Sequence, residues 1–295
     1  MSTTTSTSSY ADSAERIKDL HSREKQDPRL NPACYSIAYD HGHATPRAVV
    51  FLHGITSSPV QFRDLGQLFF SRGYNVLIPR MPRHGYLDRM TRDPAHLTRF
   101  ELEAYAADAV AIARGLGEHL TIAGLSVSGV LAAWCAQTRS DVDLAVPISP
   151  SFAPYGVPLS LVPMLTRLAR RVPNVMVWWH PLKRQHVGPP CSYPRFSTHA
   201  MAESFEVGLA VYRAARDEPP RARSILTVTN PQDMSVNNRA TRAVVRRWRA
   251  HSSNVREYTF DRQVGKLHDI IGPYQERARV DYVYPILFDL IDRMP

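Results

Sequence analysis

From Arg47 onward, short apolar runs alternate with longer amphipathic stretches. The runs Ala48 to Leu52, Tyr74 to Ile78, Leu120 to Leu125, Leu144 to Ile148, Ile225 to Thr229 and Val255 to Phe260 have strand length and are rich in Val, Ile and Leu. They mostly lack the polar alternation of a half-exposed antiparallel strand, which is how strands read when helices cover both faces of a sheet. Between them, Val60 to Ser71, Phe100 to Leu116, Gly129 to Thr138, Ser235 to Ala250 and Tyr274 to Arg293 carry helical patterns. Alternation of this kind predicts an α/β fold, a mostly parallel sheet wrapped by right-handed crossover helices.

Two regions depart from the rhythm. Residues 1 to 9 are Ser/Thr-rich and read as a disordered tail, followed by a charged, weakly amphipathic helix over Ala11 to Lys25 that the breakers Pro28 and Pro32 end. No chemistry is expected of residues 1–30. The stretch from Pro150 to Arg216 is heavy in Pro, contains Trp178 and Trp179, and spaces Leu161, Met164, Leu165 and Leu168 at i, i+3, i+4 and i+7. It reads as a partly helical insertion, so that 31–149 and 217–295 form the core and 150–216 a cap or lid over the end of the sheet. The alternative is a set of ordinary surface helices and loops.

At 295 residues, 44% hydrophobic and 21% charged, the chain suits one enlarged globular domain and excludes a disordered or fibrous one. No run of eighteen apolar residues occurs, and the first residues lack the basic and apolar regions of a secretory signal, so no stable membrane insertion is expected. The net charge of +9 comes from four lysines and 32 arginines. Those arginines are scattered and no zinc-finger, RRM or KH signature accompanies them, so solvated surface is expected and nucleic acid is not. Cys34, Cys135 and Cys191 are odd in number with no C-x-x-C spacing, so at least one is free or pairs between chains. A reducing, cytoplasmic setting fits that count.

The sharpest local signal is Leu120-Thr121-Ile122-Ala123-Gly124-Leu125-Ser126-Val127-Ser128-Gly129-Val130-Leu131-Ala132-Ala133. An apolar strand runs into small residues around one Ser and continues as an Ala/Leu-rich helix, the setting of a nucleophile elbow. Residues two positions either side of the nucleophile must be small because strand and helix backbones converge there. Gly124 meets the demand, and Ser128 stands where G-x-S-x-G has its second Gly. Taken alone, the segment reads rather as a Ser/Gly helix N-cap without catalysis.

A second signal is Val49-Val50-Phe51-Leu52-His53-Gly54-Ile55, a buried strand entering a His-Gly loop. With Gln61 to Gly66 and Arg72 to Gly85 it resembles the α/β-hydrolase superfamily, in its bacterial carboxylesterase and monoacylglycerol-lipase-like branch. The resemblance runs from about Arg47 to Arg293 and is weakest over Pro150 to Arg216. It implies the α/β-hydrolase fold with a cap insertion, Ser126 as nucleophile, and an oxyanion hole made by the backbone N–H groups of Ile55 and Val127. The family order places an acid and then a His after the Ser. Asp233, in the turn Asn230-Pro231-Gln232-Asp233 after a strand, is the expected acid, with a plain helix N-cap as its structural alternative and Asp143 as the weaker candidate. His268, in Gly265-Lys266-Leu267-His268-Asp269 after the last strand, is the expected base. His53 and His84 are expected to hydrogen-bond backbone, and His119, His180, His186 and His199 to be surface or packing residues.

Such a trio has a definite purpose. A serine hydroxyl is a poor nucleophile near neutral pH, so His268 must take its proton while Asp233 fixes the imidazole tautomer. The expected activity is hydrolysis of small-molecule carboxylic esters, short- to medium-chain or monoacylglycerol-like, through an acyl-enzyme. Leu161, Met164, Leu165, Trp178 and Trp179 would wall the acyl pocket, or else be plain core. No cofactor is expected, and no H-E-x-x-H or His/Asp cluster suggests a metal. Two alternatives stay open: another reaction on the same scaffold, such as C–C bond hydrolysis or haloperoxidation, and a non-catalytic ligand-binding protein. Dehalogenases resembling this fold use a carboxylate nucleophile, against which Ser126 argues.

Overall fold

The computed structural model describes residues 9–179, 191–252 and 254–294. In chain order its elements are α1 (Tyr10–Gln26), β1 (Ile37–Tyr39), β2 (Thr45–Leu52), α2 (Arg63–Ser71), β3 (Tyr74–Ile78), α3 (Arg99–Ala113), β4 (Gly117–Leu125), α4 (Val127–Thr138) and β5 (Leu144–Ile148). They continue with α5 (Val162–Ala169), β6 (Met176–Trp178), β7 (Arg195–Ser197), α6 (Thr198–Asp217), β8 (Ser224–Thr229), α7 (Asn238–His251), β9 (Val255–Thr259) and α8 (Val280–Asp292). Seven strands form one sheet in the order β1-β3-β2-β4-β5-β8-β9, and β6 pairs with β7 apart from it. All neighbours in the large sheet are parallel except β1, which runs antiparallel on β3.

The apolar runs of β2, β3, β4, β5 and β8 are strands because each of their faces has a cover, whereas in β9, at the sheet edge, only Val255 is buried. Ala48, Val50 and Leu52 of β2 and Leu120 and Ile122 of β4 join one core cluster with residues of α3, α4, α6 and α7. The alternate residues Val49, Phe51, Ala123 and Leu125 join the other with α2 and α8. Successive side chains of a strand point to opposite faces, so two buried faces demand an unbroken apolar run.

Several elements differ from expectation. Ser9 is the N-cap of α1, its hydroxyl accepting from the Asp12 N–H while the Asp12 carboxylate returns the bond to Ser9. Residues 274–279 lie outside α8, since Arg277 takes φ +70°, which a helix cannot contain. The three residues of β1 are too few to show a period. Among the described residues no helix is long and apolar enough to cross a membrane.

Candidate active site

Ser126 occupies the junction between β4 and α4 with φ +63° and ψ −116°, a backbone conformation unfavourable for a side-chain-bearing residue. Its surroundings hold it there. The Ser126 N–H donates to Ile148 O at 3.0 Å, and its carbonyl accepts from Val130 at 3.1 Å and Ser151 at 3.0 Å. Gly124 has no substitute: a Cβ there would lie 2.1 Å from the Ser128 carbonyl oxygen. Ser128 itself is fully buried, and its hydroxyl donates to the His53 carbonyl at 2.5 Å. The departure from a second Gly therefore ties the elbow to the His-Gly loop. Among the described residues the Ser126 hydroxyl has no hydrogen-bond partner, and Ser126 is half-buried.

Asp233 follows β8 and His268 follows β9, both at the carboxyl ends of their strands, as Ser126 is at that of β4. Ligand sites of open α/β sheets gather there. Asp233 is buried and divides its oxygens: Oδ1 accepts from the N–H groups of Ser235 at 2.8 Å and Val236 at 3.3 Å, and Oδ2 meets His268 Nδ1 at 2.7 Å. It is not the cap of α7, which Asn237 supplies. The rejected candidate Asp143 stands at the opposite end of the sheet, where it accepts from the Leu120 N–H at 2.8 Å and pairs with Arg114 at 3.0 Å.

Two residues to which the sequence reading gave no role bind these loops together. Buried Asn230 donates to the carbonyls of Gly265 at 2.9 Å and Leu267 at 2.7 Å, fastening the Asp233 loop to the His268 loop. Gln61 accepts from the Gly54 N–H at 2.8 Å and donates to Asp269 Oδ2 at 2.8 Å, joining the His-Gly loop to the residue after His268. The Asn-Pro step after β8 hinted at a built turn. Nothing local marks Gln61.

The His-Gly loop is fixed by two uncharged imidazoles. His53 Nε2 accepts from the Met81 N–H at 3.0 Å, so its proton is on Nδ1, 3.0 Å from Gly54 O. His84 Nε2 accepts from the Thr56 N–H at 3.1 Å, and its Nδ1–H donates to Pro82 O at 2.9 Å. Both rings are buried. Desolvation, aided at His53 by the nearby His84, depresses their pKa values to about 3 for His53 and about 4 for His84. Neither ring has a nitrogen left for a substrate. Gln61 takes the Gly54 N–H and His84 that of Thr56, while the N–H of Ile55 between them, like that of Val127, has no acceptor among the described residues.

The expected pocket residues divide. Leu165 lines a cavity of about 180 Å³ between α5 and α6, with Val162, Ala169, Phe196, Met201 and Phe205. Leu161 and Met164 are exposed and outside that lining, so they are not core either. Trp179 packs its ring on Phe196 at 4.4 Å and donates Nε1–H to Thr56 Oγ1 at 2.9 Å, beside the His-Gly loop. Trp178 lies in β6 with the Arg195 guanidinium over its ring at 5.9 Å. Ser126, Asp233 and His268 do not line the cavity, but Pro154, which does, pairs with Val236 in the Asp233 loop. His199 donates its Nε2–H to Val172 O at 2.9 Å, His119 is half-buried with ring nitrogens that have no hydrogen-bond partner among the described residues, and His180 and His186 lie outside the described residues. Among the described residues no three His, Cys, Asp or Glu side chains are placed to hold a metal ion.

Comparisons with known proteins bear on the family and the fold. A family model described as the alpha/beta hydrolase family matches residues 49–283. A thermostable monoacylglycerol lipase of Bacillus sp. (strain H-257) is 26% identical over 110 residues, 35% of this chain and 40% of that protein's length. The match thus spans well under half of that relative. A monoacylglycerol lipase of Paleococcus ferrophilus superposes with a TM-score of 0.64 at 16% identity, covering 87% of this chain and 97% of that one. A soluble variant of monoglyceride lipase from Saccharomyces cerevisiae, solved with a substrate analogue, gives a TM-score of 0.66 at 14% identity over 88% of this chain and 91% of that one. At such identities the structural likenesses speak to the fold.

Proposed function

This chain belongs to the α/β hydrolase family, and from that premise we propose that it hydrolyses carboxylic esters by a serine acyl-enzyme route. The observation that carries the reading is the contact of 2.7 Å between His268 Nδ1 and Asp233 Oδ2, on a carboxylate whose other oxygen is already held by backbone. A proton on Nδ1, donated to Asp233, leaves the Nε2 lone pair to act as base. Ser126 Oγ attacks the ester carbon as His268 takes its proton. The charge that develops on the carbonyl oxygen is met by the N–H groups of Ile55 and Val127, each worth roughly a hundredfold to a thousandfold in rate. His268 then protonates the leaving alcohol, and water admitted by the same base releases the acid.

The segment 150–216 serves in this reading as the cap. The favoured substrates are short- to medium-chain esters or monoacylglycerol-like amphiphiles, because Leu165 lines an apolar cavity and Leu161, Met164 and Trp179 hold apolar surface open to the solvent. The relatives named as monoacylglycerol lipases favour that chemical class. A chain-length series of p-nitrophenyl esters tests the reading. Wild type should turn over and be labelled at Ser126 by a fluorophosphonate, while Ser126→Ala should lose both. Equal hydrolysis by the two proteins would overturn it.

A further inference from the structure

Outside the hydrolytic machinery, the structure brings together two thiols that lie 157 positions apart in the chain. Cys34 ends the one-turn helix Pro32–Cys34 ahead of β1, and Cys191 lies on the segment that leads into β7. With Val60 they form a buried apolar cluster separate from the two main ones, and both thiols are free. Each interacts with the other and with the Ser58 side chain. The third cysteine, Cys135, belongs to α4 and to a different cluster.

We propose that Cys34 and Cys191 are a thiol–disulfide site, which a small-molecule disulfide oxidises to an intramolecular bridge fastening the segment before β7 to the segment before β1. Their environments divide the roles. Interaction with Cys34, the Ser58 hydroxyl and the charges of Arg63 and Arg89 hold Cys191 down to about 7 against the opposing effect of burial. The interaction with Cys191 and burial push Cys34 up. Cys191 is 8% exposed where Cys34 is wholly buried, so Cys191 is the attacking thiolate.

The steps balance. The Cys191 thiolate attacks one sulfur of RSSR, the S–S bond breaks, and RS⁻ departs and takes up a proton. Cys34 then loses its proton to solvent and attacks the Cys191 sulfur of the mixed disulfide, expelling the second RS⁻. Two protein thiols are oxidised and one RSSR is reduced to two RSH.

The bridge would bear on the His-Gly loop. Two residues beyond Cys191, the Tyr193 N–H donates to Thr56 O at 2.7 Å, and the Tyr193 hydroxyl accepts from the Tyr86 N–H at 3.0 Å. Thr56, at φ +65°, follows Ile55 directly. Oxidation pins the segment that grips this turn, and closing so long a loop stabilises the fold.

Folded full-length protein incubated with oxidised glutathione tests the proposal through thiol counting after denaturation and peptide mapping without reductant. Free thiols should fall from three to one per chain, with Cys34 and Cys191 in one linked peptide and the chain lighter by two hydrogens. Dithiothreitol should reverse the change, and the oxidised form should melt several degrees higher. Cys135→Ser should form the same bridge and fall from two free thiols to none. Three thiols surviving across the redox series, stable glutathione adducts alone, or linkage only between chains would overturn it. None of these readouts involves a substrate, so they stand apart from the ester-hydrolase reading.

Discussion

The carboxyl edge of the sheet and the segment carrying α5 are built on opposite plans. At the sheet edge the polar side chains are buried and cross-tied: Ser128 to His53, Gln61 to Gly54 and Asp269, Asn230 to the His268 loop, and His84 to Thr56. Around α5 the apolar side chains of Leu161, Met164, Leu168, Val172 and Val175 face water. Buried networks fix positions, which a site built on pre-aimed donors requires. An open apolar surface fixes nothing and is useful when something apolar arrives. Under the proposed function, the difference gives geometry to one region and substrate contact to the other.

The substitution that strikes this contrast hardest is Asp233→Asn. The amide oxygen can keep the Ser235 and Val236 N–H groups, so the loop stays folded. Its NH₂ would then face His268 Nδ1, driving the imidazole proton to Nε2 and removing the base. We expect kcat to fall about ten-thousandfold with KM little changed, measured by steady-state ester hydrolysis on protein of unaltered circular dichroism. A loss confined to KM would move Asp233 out of the proposed machinery.

Acid should separate the two regions next. His53 and His84 have native pKa values of about 3 and about 4, below the ordinary 6.5 that the unfolded chain restores. Below pH 6.5 the unfolded state therefore binds more protons, and stability falls as pH falls. The loss runs from 6.5 down through the native values, at up to about 1.4 kcal/mol per pH unit for each ring. Urea midpoints between pH 7 and 5 should decline accordingly, and His84→Gln should remove about half of the contribution of the pair. Met164→Ser, on α5, should leave the slope as it was.

How much of this could be read beforehand follows from the range of each interaction. Strands β2 to β5 were legible because burial on two faces writes itself into consecutive residues, and the elbow because its steric demand falls on Gly124, two positions from Ser126. Asp233 and His268 were legible as loops after strands, and they stand 2.7 Å apart. Gln61 was not, since its partner Asp269 is 208 residues away and no local pattern distinguishes a bridging Gln from a solvated one. Ser128 read only as a departure from the second Gly of the motif, because its acceptor, His53, belongs to another strand's loop. The spacing of Leu161, Met164, Leu165 and Leu168 revealed an apolar face but not whether anything covers it, for that depends on what packs opposite.

A smaller effect is expected at the elbow's own glycine. In Gly124→Ala the new methyl would sit 2.1 Å from a backbone oxygen, so strand or helix must shift. The cost should be about 3 kcal/mol, read from denaturant midpoints. Because the shift falls between β4 and α4, fluorophosphonate labelling of Ser126 should slow as well. An unchanged midpoint would mean that the elbow is looser than the sheet edge beside it.

The mildest change tests the other half of the contrast. Leu161 and Met164 are 44% and 56% exposed, and replacing exposed side chains commonly moves stability by less than about 0.5 kcal/mol. If their apolar surface exists for substrate, Leu161→Ser and Met164→Ser should leave the melting temperature and the hydrolysis of acetyl esters near wild type. Each methylene buried against a protein wall is worth roughly 0.8 kcal/mol, so kcat/KM for longer acyl chains should drop severalfold, and the ratio of octanoyl to acetyl rates is the sensitive measure. A core role would reverse the pattern, lowering stability while leaving that ratio alone. A ratio unchanged in both variants would leave Leu165, which lines the cavity beneath, as the residue of α5 through which chain length is sensed.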